Sequence, residues 1–435
     1  MNRLASILLW SVIAAAFIGP GTVTTAASAG AGYQLSLLWT LVFSTVACFV
    51  LQEASARLTV TSGQSLGRAL RSRFSEGLQG ALVVILVLGA VLLGCAAYEA
   101  GNILGGVAGA LLAVELPPRV LALLSGLVAA ALLWFQAPRT VARLLSLVVA
   151  LMGIAFLVTA WRIGPPPTDL LRGSLVPTLP AGSGLLALGL VGTTVVPYNI
   201  FLGSGLAGGQ ELRDLRLGLA IAIGLGGIIS MGVLVVGTAV NGAFDFASLA
   251  EILAQRLGGR ARTWFGLGLL GAGLSSAITA PLAAAITARD LFQRDPEDKR
   301  WCESSWRYRA VWLAVLLTGL GFGLSNVRPI PAIILAQAFN GLLLPLVAVF
   351  LFLAVNDSRL MKGSTNGAWG NALMGIVVLV SLLLGVSALG RAATRVLGRT
   401  PPEPFLILIA TAVLALPVGV VLWRSLARRS GGGPE

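Results

Sequence analysis

The chain carries Phe17-Ile18-Gly19-Pro20-Gly21-Thr22 in the middle of its first long apolar run and Thr193-Thr194-Val195-Val196-Pro197-Tyr198-Asn199 in the middle of its sixth. A proline there removes a backbone donor and crowds the preceding turn, and Gly19 and Gly21 tolerate extended or left-handed backbone. Each stretch therefore predicts a helix that unwinds at mid-depth. Freed amides and carbonyls cannot face lipid, so such breaks persist only where protein or an aqueous cavity satisfies them. The two breaks lie five runs apart, and an odd number of spans per unit inverts one unit against the other. That pattern points to a transporter built from inverted repeats, with its site between them at the midplane. Two ordinary proline kinks would be the plainer reading.

Outward from these stretches, the composition fits the same picture. Of 435 residues, 57% are hydrophobic and 11% charged, and mean hydropathy is +0.91, whereas soluble domains carry about a quarter charged residues. The net charge of +13 is spread over short loops instead of along one face, so positive-inside sorting explains it better than nucleic-acid binding. The absence of histidine excludes imidazole metal ligation, a Ser-His-Asp triad and histidine proton relays. Cys48, Cys95 and Cys302 fit neither a disulfide nor a zinc spacing. No catalytic residues are expected, and no cofactor.

A spanning helix needs about 20 mostly apolar residues. The sequence places such runs near 6–29, 36–58, 80–112, 119–136, 141–162, 184–206, 216–240, 263–288, 309–326, 330–354, 367–389 and 404–424, about twelve in all. The run at 80–112 is long enough to tilt or to include a loop. Most Lys and Arg, among them Arg57, Arg68, Arg71, Arg73, Arg213, Arg216, the 289–309 cluster and Arg424–Arg429, fall on one side if the N-terminus is inside. Both termini are then cytoplasmic. Residues 1–429 read as one transmembrane domain, with repeat one at 6–162, repeat two at 184–354 and peripheral helices at 367–424; 430–435 read as a frayed tail. The first thirty residues resemble a signal peptide, with Arg3 and Ala27-Ser28-Ala29, and we expect them to stay as the first helix.

Taken in order, several strings resemble the Nramp family of proton-coupled divalent-metal transporters, within the superfamily that shares the leucine-transporter fold. They are GPGTVTTA (Gly19–Ala26), the AGAGYQLSLLW stretch ending at Trp39, LQEASARL (Leu51–Leu58), SGQSL (Ser62–Leu66), YEAGNILGG (Tyr98–Gly106), VPYNIFLGS (Val196–Ser204), GLLGAGLSSAIT (Gly268–Thr279) and LAQAFNGLLLP (Leu335–Pro345). The resemblance implies an all-α polytopic protein with two inverted five-helix repeats and broken helices one and six. It also exposes departures. The family's first break reads Asp-Pro-Gly-Asn and its second Met-Pro-His; the corresponding positions are Gly19, Thr22, Val196 and Tyr198.

The site implied comprises Gly19, Thr22, Thr193, Val196, Tyr198 and Gln337. Glu99 matches the family's third-span glutamate and is the candidate carrier of coupling protons, while Ala96 replaces an aspartate one turn earlier. A neutral Glu99 bonded to Asn102 is the bland alternative. Ser275 and Ser276 resemble the hydroxyl pair that binds sodium in many proteins of this fold, so the coupling ion implied is H+ or Na+. Packing is the commoner use of such serines. Glu53 and Arg57, four residues apart, predict an ion pair on one helix face, either structural or part of an inner gate.

With its charged and soft ligands gone, this site is not expected to bind a dehydrated manganese or iron ion tightly, because desolvating even a monovalent ion costs on the order of 20 kcal/mol before compensation. Metal-ion transport, with the divalent cation partly hydrated, remains the primary expectation. Carriage of a small neutral or zwitterionic organic solute is the alternative, and a non-transporting receptor or scaffold the third. The expected partners are the lipid bilayer and a small solute or cation, with no nucleic acid, in a monomer of the inner membrane.

Overall fold

A computed structural model describes residues 18–74, 77–135, 139–293, 298–396 and 402–430. Among them there are helices and no strands. In chain order these are α1 (Pro20–Tyr33), α2 (Leu38–Ser62), α3 (Leu66–Arg73), α4 (Gly77–Ala110), α5 (Pro118–Trp134), α6 (Arg139–Ile163), α7 (Pro167–Leu175), α8 (Gly184–Thr194) and α9 (Pro197–Leu206). There follow α10 (Leu212–Gly237), α11 (Phe246–Leu257), α12 (Arg260–Phe292), α13 (Trp306–Leu324), α14 (Pro329–Val355), α15 (Ser358–Met361), α16 (Ala368–Val396) and α17 (Pro404–Ser430).

By length and composition, nine apolar stretches among the described residues suffice to cross a membrane. One of these, Pro20–Ser62, is α1 and α2 joined through a 3-10 turn at Gln34–Leu37. The runs near 119–136 and 309–326 are the helices α5 and α13, the latter opening with Arg307 and Arg309. Among the described residues, helix lies at each of the twelve expected runs, with α8 and α9 as the halves of span six. The long third run is one continuous helix of 34 residues, without a loop. Residues 6–17 of the expected first span lie outside the described residues, as do 431–435 of the expected tail. Ser430, assigned to that tail from sequence, instead closes α17. The loops also hold short helices that carry no spanning signal: α3, α7, where Pro166 and Pro167 form the N-terminus, and α11, capped by Asp245 accepting the Ser248 amide at 2.8 Å.

The central helix is α4, which packs most heavily against α12, α14 and α13. Apolar groups dominate the outer surface, as with Trp161, Trp369 and Phe405, which suits contact with lipid and not water. Between helices inside a bilayer there is little hydrophobic drive, so small residues that let backbones touch carry the packing. The crossing of α8 on α14 shows this: a methyl on Gly192 would lie 2.0 Å from the Gln337 carbonyl oxygen and 2.4 Å from the Gly341 nitrogen. Both neighbours are backbone and cannot rotate away. Gly192→Ala is therefore expected to cost about 3 kcal/mol through overpacking, read as a fall in the thermal midpoint of the detergent-solubilised protein. Gly224→Ala on α10, where nothing lies within 4 Å of the added methyl, serves as the control and should be close to neutral. Equal midpoints for the two variants would refute the close crossing.

Candidate functional site

Proline alone does not break a helix in this chain, since Pro281, Pro345 and Pro417 lie inside continuous α12, α14 and α17. At Pro197 the backbone does leave the helix, and at Pro20 a helix opens directly after extended Gly19. Gly19 caps α1 with extended dihedrals of −90° and 175°, and Pro20 occupies the first helical position, where its missing N–H is not needed. In span six, Val195 (−103°, 75°) and Val196 (−80°, 121°) separate α8 from α9, which again opens on its proline. The expected interruption of span six is present, that of span one is described only from residue 18 onward, and α1 and α9 meet at mid-protein as helix N-termini with extended residues before them.

Hydroxyls join the breaks. Thr22 Oγ1 and Thr193 Oγ1 share a buried hydrogen bond of 3.0 Å. Gln337 of α14 lies over the backbone of α1, so that a methyl on Gly21 would come 2.2 Å from its Nε2. Its amide also approaches Gly101 of α4, 3.5 Å from where that residue's Cβ would stand. On the other side, a methyl on Gly19 would lie 3.2 Å from Ser276 Oγ and 3.9 Å from the Tyr98 hydroxyl. Tyr98 in turn meets Tyr198 edge to face, with ring centroids 5.4 Å apart. The structure thus brings Gly19, Thr22, Thr193, Tyr198, Gln337 and Ser276 into one buried zone; Val196 contributes its place in the break.

Several polar atoms around the Thr22–Thr193 bond lack partners. Gln337 Oε1 and Nε2, both side-chain polar atoms of Asn199, the Tyr198 hydroxyl and Ser276 Oγ are buried without a hydrogen bond. Each such group costs about 1–3 kcal/mol if nothing fills its bonding capacity, which a stable protein does not accumulate at one point without a ligand or water to receive them. Most of these donors are hard oxygens, the kind that suits magnesium, calcium or manganese and hydrated ions. Among the described residues no three His, Cys, Asp or Glu side chains gather as a metal site. Tyr98 escaped the sequence reading; its signal was a phenol one residue before the intramembrane acid.

Glu99 is fully buried one step around α4 from Tyr98. Its Oε2 accepts Asn102 Nδ2 at 3.2 Å, while Oε1 has no partner. The side chain lies against α13: a methyl on Gly319 would meet Glu99 Cγ at 2.5 Å. The bond to Asn102 is the one anticipated, and the unpartnered oxygen leaves room for a proton. Ser275 and Ser276 diverge, as neighbours on a helix must. Ser276 faces the first break; Ser275 is half-buried, and its carbonyl accepts the Thr279 hydroxyl at 2.9 Å.

Glu53 and Arg57 do pair, at 3.1 Å, within a larger cluster. Arg57 also donates to the Ser364 carbonyl at 2.8 Å and to Asn366 Oδ1, and Arg216 of α10 donates to Glu53 Oε1 at 2.7 Å. These groups line a cleft of about 580 Å³ between α2, the start of α10 and the connection into α16. Nearby, Arg73 of α3 pairs with Asp357 at 2.8 Å.

A span six interrupted at Val195–Val196 and facing the proline start of α1, with partnerless polar groups between them, is the arrangement of a membrane transporter of the leucine-transporter fold. The overall shape matches solved members of that fold: a mutant form of the manganese transporter of Eremococcus coleocola (TM-score 0.71, 19% identity, 98% of this chain and 94% of that one) and MhsT in complex with L-phenylalanine (TM-score 0.59, 16% identity, 87% of this chain and 98% of that one). A sequence model of the natural resistance-associated macrophage protein-like proteins, Nramp, matches residues 11–390, and the chain belongs to that family. A curated relative, the divalent metal cation transporter MntH of Verminephrobacter eiseniae, is 26% identical over 358 residues, 77% of each chain. Family membership favours metal-ion transport over the organic-solute and scaffold readings.

Proposed function

We propose that this protein is a multi-pass transporter of the bacterial inner membrane that carries a divalent metal cation with part of its water shell retained, by alternating access between repeats at 6–162 and 184–354. The observation that supports it best is the cluster of partnerless buried donors where the breaks meet, with Gln337 over Gly21 and the Thr22–Thr193 bond at its centre. Neutral oxygens cannot replace a whole hydration shell of a divalent ion, but they can bond to waters that remain on it. Without a soft ligand, the site should discriminate weakly between magnesium and manganese. Glu99 is the proposed proton carrier, placed on α4 beside the Tyr98–Tyr198 pair, with both termini of the chain cytoplasmic.

The test is uptake of magnesium and manganese into proteoliposomes, for the wild type and Gln337→Leu. Both metals should enter with wild type at rates within about threefold, and Gln337→Leu should lower both at least tenfold, a loss of about 1.4 kcal/mol or more. The same variant should unfold at an equal or higher temperature, because leucine removes two orphaned polar atoms from a buried position. Absence of uptake in the wild type, or full activity in Gln337→Leu, would overturn the proposal. In the same vesicles, uptake that follows sodium and ignores an imposed proton gradient would transfer coupling from Glu99 to the neighbourhood of Ser276.

A further inference from the structure

On the face where α8 and α14 begin and α16 ends, a groove of about 740 Å³ runs between α4, α8, α14 and α16. Its walls are apolar, with Ala97, Leu188, Ala332, Leu335, Phe339 and Leu389 among them, and Arg328 stands at its rim. One turn of α16 beside it carries Ser387 and Arg391, both turned toward Gly184 at the start of α8. A methyl on Gly184 would lie 3.8 Å from Ser387 Oγ and 4.0 Å from Arg391 Nε. Ser387 is 2% exposed and its hydroxyl has no partner; the Arg391 Nε is likewise buried and unpartnered. Neither Arg328 nor Arg391 pairs with a carboxylate among the described residues. The first intrahelical bond of α8 is Ala187 N–H to the Ser183 carbonyl at 2.9 Å, which leaves the amides of Gly184, Leu185 and Leu186 ahead of it unspent.

An arginine and a serine hydroxyl with spare donors, facing a helix N-terminus, form the donor set that holds an anion. The adjoining groove is long, apolar and open to the surface, so the anion it suits is the head of an amphiphile. From this juxtaposition we infer that the groove is a binding site for an anionic phospholipid, with the phosphate held by Arg391, Ser387 and the start of α8, one acyl chain lying between α14 and α16, and Arg328 at the rim. A free phosphate would use the same donors and leave the groove unfilled. The lipid would rest against α8, the first half of the broken sixth span.

The experiment titrates the purified, delipidated protein with phosphatidylglycerol, phosphatidylcholine or glycerol phosphate, counting bound molecules by native mass spectrometry and following the thermal midpoint. Phosphatidylglycerol should bind in preference to phosphatidylcholine, and Arg391→Gln should weaken phosphatidylglycerol about tenfold, as expected for loss of a charge-assisted contact, with phosphatidylcholine unaffected. Ala392→Trp, at an exposed wall of the groove where a larger side chain fits outward, should weaken both lipids. Equal binding of the two lipids, or unchanged phosphatidylglycerol binding in both variants, would overturn the inference. Stabilisation by glycerol phosphate as large as by phosphatidylglycerol would overturn it too, leaving a soluble-anion site.

Discussion

Gly19→Asp is expected to tighten manganese binding by about a thousandfold, measured by calorimetry on the solubilised protein. Two unit charges 4 Å apart attract by about 4 kcal/mol at an effective dielectric of 20, and a divalent ion doubles that. Desolvation of the new carboxylate takes back a share of similar size, so about 4 kcal/mol remains, which is three decades in affinity. The site is prepared to receive an acid. The Cβ would stand 3.2 Å from Ser276 Oγ, an unpartnered donor, and 3.9 Å from the Tyr98 hydroxyl, and Gly19 already has the extended backbone of an N-cap, where aspartate is favoured. The variant should therefore fold. Unchanged manganese affinity in a folded Gly19→Asp protein would mean that the ion does not pass this break, and would count against the proposed site as a whole. Magnesium should gain as well, since a carboxylate is a hard ligand.

The parts of this arrangement that the sequence disclosed are those governed by local chemistry. Spanning runs announce themselves through the length of apolar sequence that a bilayer demands, and the unwound residues through proline set among glycine or β-branched and hydroxyl neighbours. Proline by itself was a poorer guide, because Pro281, Pro345 and Pro417 sit in unbroken helices; what separates Pro20 and Pro197 from them is glycine on both sides, Gly19 and Gly21, or the unbroken β-branched run Thr193-Thr194-Val195-Val196 immediately before. Contacts between distant parts of the chain left no such trace. That the Gln337 amide lies over Gly21 depends on the crossing of α14 with α1, and the Tyr98–Tyr198 pair on the rotation of α4. The Glu53–Arg57 pair was readable from helical spacing, yet its other members, Arg216, Ser364 and Asn366, enter from α10 and the connection before α16. Short loop helices such as α7 were missed for the opposite reason: nine residues carry too little periodicity against a proline-rich background.

That cluster is where the second large effect is expected. Arg57→Ala should raise the reactivity of a cysteine placed at Gln52 toward a membrane-impermeant thiol reagent by about a hundredfold, in a background lacking the exposed Cys302. Gln52 is buried on α2, and its Oε1 lies against α9, where a methyl on Gly203 would meet it at 2.4 Å; reagent reaches it only if α2 and α9 part. Arg57 spans three anchors at once: Glu53 on its own helix, the Ser364 carbonyl and Asn366. Removing a largely buried partner of this kind costs about 3–5 kcal/mol when the groups left behind stay buried. The Arg57 and Glu53 side chains are 10% and 15% exposed and Arg216 still serves Glu53, so a bias of about 3 kcal/mol is the better figure, which is roughly a hundredfold in population. Opening at this end hydrates Ser364, Asn366 and Glu53, so the variant escapes the penalty by opening instead of unfolding. Arg57→Lys should restore little, because a single ammonium cannot hold a carboxylate on one edge while donating to a carbonyl and an amide on the other. Labelling unchanged in a folded Arg57→Ala protein would show that the cluster braces α2 without closing a path into the protein from this end.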